Sequence, residues 1–567
     1  MSPILAEVLV LTAVLALLWP TLGSYIADVY DGRAAWCSFI ERPLYRLLGV
    51  RSDHEQGWRQ YSTSLLIFSG ASLLSAYAVM RLQGLLPLNP QGLPSVSPAL
   101  AWNTAASFLT TADWQAYVGE QTMSYLSQMA ALTTENFTGP AIALAVAAAL
   151  ARGFRRSGRS TVGNFWIDLV RGMLYLLLPA SLIITVVLVS QGAVQTLGGP
   201  VTIHNGMTGF VQKLASGPAA SMTAIEHLGD NGGGYFGANA AHPFANPSGL
   251  TNFVLILSTL AIPFAMTYAF GKMVGSVRQG AVLAVVMVLL FAASAAVTIV
   301  GETGANPAVA AAGVHQVGGN MVGKEARFGP APSALYGAAA TSSGLGASSS
   351  AYDSYTPLGA IGLLSGMVLG DVSPGGLGSG LFGLVVFAIV AVFLGGLMVG
   401  RTPSYMGKLI QGREIKLASV AILVMPLLAM VLTAVAVSLP GPRSAALNSG
   451  PQGFTEILYG FVSMAVDNGS SFAGLSANTA FYNVLGGVAM LLGRYVPIVA
   501  VLGIAGSLAG KARLPRDAGT IRTDTLTFAA ILVSVVVVVG GLAFFGALAL
   551  GPVAEALRHG RLLASNA

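Results

Sequence analysis

The stretch Asp230-Asn231-Gly232-Gly233-Gly234-Tyr235-Phe236 places three consecutive glycines after an acid and an amide, just beyond a short apolar segment. Three looser copies of this plan occur at 110–115, 342–347 and 467–472. The four copies follow one another at steps of about 118, 114 and 123 residues, which indicates one supersecondary unit used four times. We therefore expect four loops that meet around one axis and remove water from a cation.

Glycine-rich backbone is suited to binding a dehydrated cation. Such an ion needs several oxygens at short range, and successive carbonyls point the same way only where some residues adopt positive φ, which glycine does without steric cost. Any one of these loops alone is equally typical of an ordinary turn. The fourfold repetition favours the cation-binding interpretation.

The composition is that of a protein embedded in a membrane. Hydrophobic residues make up 54% of the 567 residues, charged residues only 9%, and the mean hydropathy is +0.72. The net charge of +6 is spread over short loops, which argues against a nucleic-acid partner. The single cysteine, Cys37, excludes an intrachain disulfide and a multi-cysteine metal site. The apolar run around Glu7 lacks a basic leader region and is predicted to be a retained span.

Ten apolar stretches are long enough to cross about 30 Å of hydrocarbon, so the sequence predicts an all-α polytopic membrane protein. They lie near 3–22, 63–86, 126–150, 169–193, 249–271, 279–300, 378–400, 417–439, 480–507 and 525–550. The loops at one end of these spans hold 19 of the 28 Lys and Arg residues. By the positive-inside rule these loops face the cytoplasm, and both termini and all four glycine or amide loops face outward.

Each outward loop contains a second apolar segment that is too short to span and is predicted to be a re-entrant half-helix. These segments lie near 98–109, 218–228, 332–342 and 451–465. Three of them follow Ser97, Ser216 or Ser449 with a proline close behind, which predicts a capping hydroxyl and a proline in the first turn. Their C-terminal ends, with partial negative charge, would point at the place where the loops meet.

The chain therefore divides into a leading span, four copies of span, half-helix, loop and span, and a trailing span. The predicted segments are 1–62 for the leading span and its cytoplasmic loop, 63–168, 169–278, 279–416 and 417–524 for the four pore repeats, and 525–567 for the trailing span and an external tail. Loop backbone at membrane depth is tolerated where it lines a wet path or is buried in protein, so the plan predicts a pore.

Several motifs resemble those of a known family. They are 231–236 (NGGGYF), 241–244 (AHPF), 400–403 (GRTP) and 469–479 (GSSFAGLSANT), and they resemble the A-subunit family of the bacterial Kdp potassium-importing ATPases. The resemblance covers nearly the whole chain and implies a four-fold pseudosymmetric fold of the potassium-transporter superfamily in the bacterial inner membrane. It also implies a subunit that is not catalytic alone and uses no organic cofactor. Potassium would be captured from outside and passed to a P-type ATPase subunit that hydrolyses ATP, with a small single-span subunit and a further small membrane peptide as additional partners.

The same resemblance assigns roles to individual residues. The potassium filter would consist of Thr111, Ala112, Asn231, Gly232, Gly233, Gly344, Gly346, Asn468 and Gly469. The filter mouth, where carboxylates raise the local cation concentration, would consist of Asp113, Gln115, Asp230 and Asp467. The first loop departs from the family pattern because it has no glycine and carries Ala112-Asp113 in place of the amide-rich Thr-Asn pattern. In the third loop, Leu345 stands where some members have cysteine.

Two features of the later spans allow more than one interpretation. Arg494 lies about midway through the ninth predicted span, where charge is costly. It resembles the positively charged residue beneath the filter in this superfamily, and alternatively it is a structural partner for an acid or a carbonyl. Seven glycines between Gly375 and Gly396 crowd the seventh span, which indicates close helix packing or, as the family suggests, an unwound gate.

Two other functions stay open on the sequence alone. One is a self-sufficient potassium channel or symporter with the same four-repeat plan, and the other is a structural membrane anchor whose loops bind nothing. The sequence has no Asp-Lys-Thr-Gly-Thr phosphorylation motif, so this chain is not the phosphorylated pump subunit. Its six histidines are scattered, and none pairs with another at metal-ligand spacing.

Overall fold

The structure, a computed structural model, describes residues 3–51, 53–204, 209–314, 316–514 and 521–558. Within these ranges ten helices are long and apolar enough to cross a membrane, which confirms the predicted number of spans. We number them spans 1 to 10: Pro3–Tyr30, Trp58–Leu85, Ser127–Arg155, Phe165–Ser190, Gly249–Val274, Val277–Thr303, Ser379–Val399, Gly412–Ser438, Ala480–Gly510 and Leu526–Arg558. The end of the predicted external tail, 559–567, lies outside the described residues.

The spans alternate between a lipid-facing and a buried position. In spans 3, 5, 7 and 9, 94%, 78%, 56% and 67% of the most apolar window is buried, against 22%, 39%, 44% and 22% in spans 2, 4, 6 and 8. Each repeat therefore contributes one outer and one inner helix. Span 3 packs against spans 5, 7 and 9, so the inner helices form the centre of the molecule.

Four half-helices lie between paired spans, at Pro98–Leu109, Ala219–Leu228, Pro330–Ser342 and Gly450–Ala465. Their bounds agree with the predicted ones to within two residues. A proline stands at the N-cap or in the first turn of each, where its missing N–H removes no helical hydrogen bond. The proline signal in the sequence therefore marks where each half-helix begins.

Ser97 and Ser449 stand at the predicted N-cap positions, but the predicted capping by their hydroxyl groups is wrong. Neither Ser97 nor Ser449 accepts a capping hydrogen bond through its hydroxyl, and in the second half-helix Pro218 takes the N-cap position in place of a serine. In the second half-helix, an amide of the first turn has another acceptor: the Ser221 amide donates to Gln195 Oε1 at 2.9 Å. The chain that precedes the half-helix thus satisfies groups that a serine would otherwise cap.

The third repeat has an interruption that the other repeats lack within the described chain. After its filter loop the chain forms a short helix, Pro357–Val368, then a non-helical stretch at 369–378, which we call the unwound segment, and then span 7. The crowded glycines lie in two different settings, and a gate at the unwound segment stays a prediction. Gly375 lies in the unwound segment with a φ of 76°, whereas Gly396 in span 7 packs closely against Pro403.

The connections hold three antiparallel two-stranded hairpins and several short helices. The strand pairs are Gln56–Gly57 with Thr161–Gly163, Val201–His204 with Val211–Leu214, and Ser404–Tyr405 with Lys408–Leu409. The short helices are Ser38–Leu47, Gly119–Thr122, Pro307–Ala311 and Pro440–Arg443. A buried ion pair of 2.6 Å between Arg152 and Asp168 joins span 3 to span 4, and so fixes the first repeat against the second.

Candidate functional site

The four loops that follow the half-helices meet in the interior of the protein. The carbonyl oxygen of Ala112 occupies the space that a β-carbon on Gly232 or Gly469 would need. The carbonyl oxygen of Asn468 lies 2.5 Å from the place where a β-carbon on Gly346 would stand. Backbone from all four loops is therefore in contact at one level, and glycine is required there because a side chain would collide with a carbonyl.

Further contacts lie on either side of this central level. Toward the ends of the half-helices, a β-carbon on Gly344 would lie 3.4 Å from the Asp230 carbonyl oxygen and 3.7 Å from that of Asp467. We call the cluster of four loops the candidate filter, and this side, toward the half-helix ends, its inner side. On the outer side, a β-carbon on Gly233 would lie 2.6 Å from the Asp113 carbonyl oxygen. The loops thus contact one another over three successive levels.

Positive φ in the loops is carried mainly by residues other than the expected glycines. Thr111, Asp230 and Asp467, which stand one or two residues before the central level, have φ of 67°, 50° and 57°. Gly469 has a φ of 88°. Left-handed φ is absent at the other predicted filter glycines, so the expectation that they supply it is wrong for Gly232, Gly233, Gly344 and Gly346. These glycines are needed for close backbone approach instead.

The side-chain amides of Asn231 and Asn468 join neighbouring repeats. Asn231 Nδ2 donates to the backbone oxygen of Asn136 in span 3 at 3.0 Å. Asn468 Nδ2 donates to the carbonyl oxygens of Ala340 and Ser343 in the third repeat at 3.0 and 3.2 Å. Each asparagine therefore fixes its own loop to the preceding repeat.

The outer end of the filter is held by contacts between the first and second loops. Gln115 Nε2 donates to the Gly234 carbonyl at 3.0 Å, and the Gly234 amide donates back to Gln115 Oε1 at 3.2 Å. Asp113 is only 1% exposed, and its Oδ2 lies 2.7 Å from the Asn136 amide nitrogen when that amide is oriented to donate. The Asp113 carboxylate is thus held inside the protein, at the outer end of the loops, and its role at a filter mouth stays a prediction.

Asp230 and Asp467 are also held inside the protein. They are 1% and 3% exposed, and both follow a half-helix directly, which places them on the inner side of the filter. Both carboxylates interact electrostatically with Asp371 in the unwound segment, and Asp467 interacts with Arg494 as well. Each residue stands shortly after the end of its half-helix, before the chain reverses, and a role at a filter mouth stays a prediction.

Arg494 lies in span 9 on the inner side of the filter. It is 6% exposed, and its charge interacts with Asp371 and Asp467. Burial of a guanidinium at this depth is costly unless anionic groups face it, so the two carboxylates stabilise its charge.

Sequence analysis did not single out Asp371. Its Oδ2 accepts hydrogen bonds from the Gly376 amide at 3.2 Å and from Ser379 Oγ at 3.3 Å. The Gly375 amide donates to the Ser342 carbonyl at 2.8 Å and so holds the unwound segment under the third filter loop. An acid inside a glycine-rich segment beside a predicted span was the available signal.

A cavity of about 50 Å³ opens beside Asp371. It lies between the unwound segment and the facing surfaces of spans 7, 8 and 9, and its lining includes Asp371, Ser379, Phe382, Ile422, Met425 and Pro497. Apart from Asp371 and Ser379, the lining side chains are apolar. The mostly apolar side chains of this cavity distinguish it from the loops above, where backbone carbonyl oxygens meet.

The motif at 241–244 supports the second loop from outside. The His242 ring stacks on Phe236 with centroids 3.7 Å apart, and its Nδ1 accepts from the Phe244 amide at 3.1 Å. Burial, and then the nearby charge of Arg327, lower the pKa of His242 to about 4, so the ring is neutral near pH 7. Within the described residues, no group of three or more His, Cys, Asp or Glu side chains could hold a metal ion.

Comparison with known proteins identifies the family. A family model described as "Potassium-transporting ATPase A subunit", KdpA, matches residues 9–557. The chain belongs to the KdpA family. A relative from Mesorhizobium japonicum is 48% identical over 561 residues that cover 98% of each chain. Another KdpA relative, from Allorhizobium ampelinum, is 49% identical over 539 residues that cover 94% of each chain, and both are named "Potassium-transporting ATPase potassium-binding subunit".

The KdpA chain also shares its fold with a solved transporter structure. The potassium transporter TrkH from Vibrio parahaemolyticus superposes with a TM-score of 0.50 at 15% sequence identity, covering 85% of this chain and 97% of that one. At this identity the likeness concerns the fold alone. The shared fold agrees with the predicted class, an all-α polytopic membrane protein.

Proposed function

We propose that this chain is the potassium-binding and potassium-translocating subunit of an ATP-driven import complex, and that its four filter loops bind the ion through backbone oxygens. The observation that carries the proposal is the close approach of Ala112, Gly232, Gly346, Asn468 and Gly469 at one level, where carbonyl oxygens stand in space that any β-carbon would fill. Rings of carbonyl oxygens replace the hydration shell of potassium in filters of this kind.

The proposed ligands come from all four loops. They are the backbone groups of Thr111, Ala112, Asn231, Gly232, Gly233, Gly344, Gly346, Asn468 and Gly469. The amide nitrogens of Asn231 and Asn468 already donate to other loops, which supports a scaffolding role for these side chains. Gln115 is proposed to keep the outer end of the filter at a fixed width through its two hydrogen bonds to Gly234.

The inner side of the filter has the charges needed to retain a cation and to oppose its free flow. The half-helices end at the loops, so their partial negative charges add to the carboxylates of Asp230, Asp371 and Asp467. Arg494 is the positive charge among them and would repel an ion that leaves the filter on this side. The cavity beside Asp371 offers a way out toward the surface of spans 7, 8 and 9, which we propose faces the partner.

The proposed partner is a P-type ATPase subunit that hydrolyses ATP. A small single-span subunit and a further small membrane peptide complete the proposed complex. The proposed location is the bacterial inner membrane, with both termini outside, because the basic loops gather at one end of the spans. A chain of this family that worked as a self-sufficient channel or symporter would need no such partner, and the family does not favour that alternative.

Two measurements test this proposal together. In a complex reconstituted with the ATPase subunit, ATP hydrolysis should depend on potassium. In ion-tight proteoliposomes that contain this chain alone, no rapid potassium uptake should occur. Rapid potassium uptake by the chain alone would support a self-sufficient transporter. A rate of ATP hydrolysis that does not change with potassium concentration would reject the import function.

A further inference from the structure

The helix Ser38–Leu47, which we call the side helix, lies beside the bundle instead of across its end. Glu41 accepts hydrogen bonds from Arg171 Nε at 2.9 Å and from the Tyr175 hydroxyl at 2.7 Å. Tyr175 lies ten residues into span 4, about 15 Å along the helix axis from its start at Phe165. The side helix is therefore level with the end of the apolar part of span 4.

Residue Trp36, just before the side helix, confirms this depth. Its Nε1 donates to the Tyr25 hydroxyl of span 1 at 3.0 Å, and its ring packs edge-on against Tyr175 with centroids 5.4 Å apart. More than half of the Trp36 surface, 54%, is nevertheless exposed. An exposed tryptophan that touches two spans on their flank is at the level where tryptophan anchors proteins to the membrane–water boundary.

The side helix has three distinct rows of side chains. Glu41 and Tyr45 form the row that faces the protein, where Tyr45 packs with Ile167 and Val170. Phe39 and Leu47 form an apolar row that faces away from the protein, and they are 72% and 82% exposed. At about 100° per residue these two rows lie on opposite sides of the helix. The protein therefore covers only one row.

The third row is basic. Arg42 and Arg46 are four residues apart, exposed, and adjacent to the apolar row. Neither guanidinium group forms a hydrogen bond or an ion pair with another side chain or backbone group in the part of the chain that the structure describes. Exposed apolar residues flanked by unpaired arginines are typical of helices that lie in the headgroup layer of anionic membranes.

We propose that the side helix binds anionic phospholipid in the leaflet on the basic side of the membrane. Phe39 and Leu47 would insert among the acyl chains, and Arg42 and Arg46 would bind lipid phosphate groups. A soluble partner would not explain the depth of Trp36 and Glu41 beside spans 1 and 4, whereas the bilayer already surrounds those spans. Because Glu41 is bonded to span 4, the lipid contact would be attached rigidly to the start of the second repeat.

The depth of the side helix can be measured with a spin label on Leu47→Cys, in the full chain carrying Cys37→Ser and reconstituted in lipid nanodiscs. The label should collide with dissolved oxygen far more than with a water-soluble nickel reagent. Matched labels on Leu17→Cys, which is 67% exposed on span 1, and on Asp53→Cys, in an exposed loop, give the lipid and water limits. If the ratio of oxygen collisions to nickel collisions at position 47 equalled that at position 53, the proposal would be overturned.

Lipid charge preference is tested with Arg42→Gln/Arg46→Gln. Binding of phosphatidylglycerol to the detergent-solubilised full chain, measured by native mass spectrometry, should fall about fivefold for each arginine removed, while phosphatidylcholine binding stays unchanged. The control, Arg413→Gln/Lys416→Gln, removes two exposed charges at the start of span 8 and should have a much smaller effect. Equal losses in both variants, or no loss in the first, would reject a specific site on the side helix.

Discussion

The carbonyl oxygen of Ala112 stands in the space that a β-carbon on Gly232 would occupy. Replacement Gly232→Ala must therefore push the first and second loops apart. We expect the apparent potassium affinity of the reconstituted complex to fall at least tenfold, since about 1.4 kcal/mol of lost coordination is sufficient for that change. Potassium titrations of ATP hydrolysis measure it.

The matched control for this prediction is Gly249→Ala at the start of span 5. A β-carbon there meets no atom within 4 Å, so affinity should be unchanged. Equal behaviour of the two variants would show that the tight approach at position 232 has no part in binding.

Asn468 is predicted to hold the fourth loop against the third repeat. Asn468→Asp keeps the size of the side chain but replaces the donor by an oxygen that faces the Ala340 and Ser343 carbonyls. We expect a loss of stability of at least about 2 kcal/mol, seen as a lower thermal unfolding midpoint. Asn478→Asp is the control, because Asn478 is exposed and uses its Oδ1 as an acceptor, which an aspartate retains. A midpoint for Asn468→Asp as high as that of the control would contradict the scaffolding role.

Arg494 and Asp371 are expected to be coupled. Arg494→Met removes the positive charge that acts on the buried carboxyl groups of Asp371 and Asp467, and should lower the free energy of unfolding by roughly 0.5–3 kcal/mol. The double variant Arg494→Met/Asp371→Asn should lose less than the sum of the single losses, because it removes both charges. Thermal unfolding of all four proteins gives the coupling energy, and strictly additive losses would show that the two groups do not interact.

Lys408 is predicted to make the stability of the protein depend on pH above about pH 8. Burial, and then repulsion by Arg513 and Lys511, lower the pKa of Lys408 to about 8, while its ammonium donates to the Lys511 carbonyl at 2.6 Å. Below about pH 8 both the folded and the unfolded chain carry this charge. Between pH 8 and the ordinary lysine pKa near 10.5, the unfolded chain binds the proton more strongly, so stability should rise with pH. From pH 7.5 to 9.5, the thermal unfolding midpoint of the native protein should therefore rise relative to that of Lys408→Met. A difference between the two midpoints that does not change with pH would refute this prediction.

The spans and half-helices could be predicted because their signals are local. Hydropathy over about 20 residues marks a span, and a proline such as Pro98 marks the start of a half-helix. The first loop, which has no glycine in the filter region, still joins the others because Thr111 adopts the same left-handed φ as Asp230 and Asp467. Gly139 in span 3 leaves room for the Thr111 methyl group, and nothing in the local sequence reports this long-range fit.

The depth of each charged residue along the pore axis could not be predicted, because it depends on where the chain reverses direction between a half-helix and its loop. Asp230 and Asp467 stand next to the filter in sequence, but whether they face outward or inward is decided by the end of the half-helix before them. Asp371 reaches the inner side of the filter only because the chain unwinds at 369–378 and packs under Ser342. Such contacts between distant segments leave no periodic trace in the sequence.

The central claim is that backbone from all four loops encloses one potassium ion. The most direct measurement is the anomalous scattering of thallium, a potassium substitute, in crystals of the assembled complex. We predict a peak between the carbonyl groups of Ala112, Gly232, Gly346 and Asn468. A thallium peak only elsewhere, or its persistence at full height in Gly232→Ala crystals in which the loops have moved apart, would contradict the account.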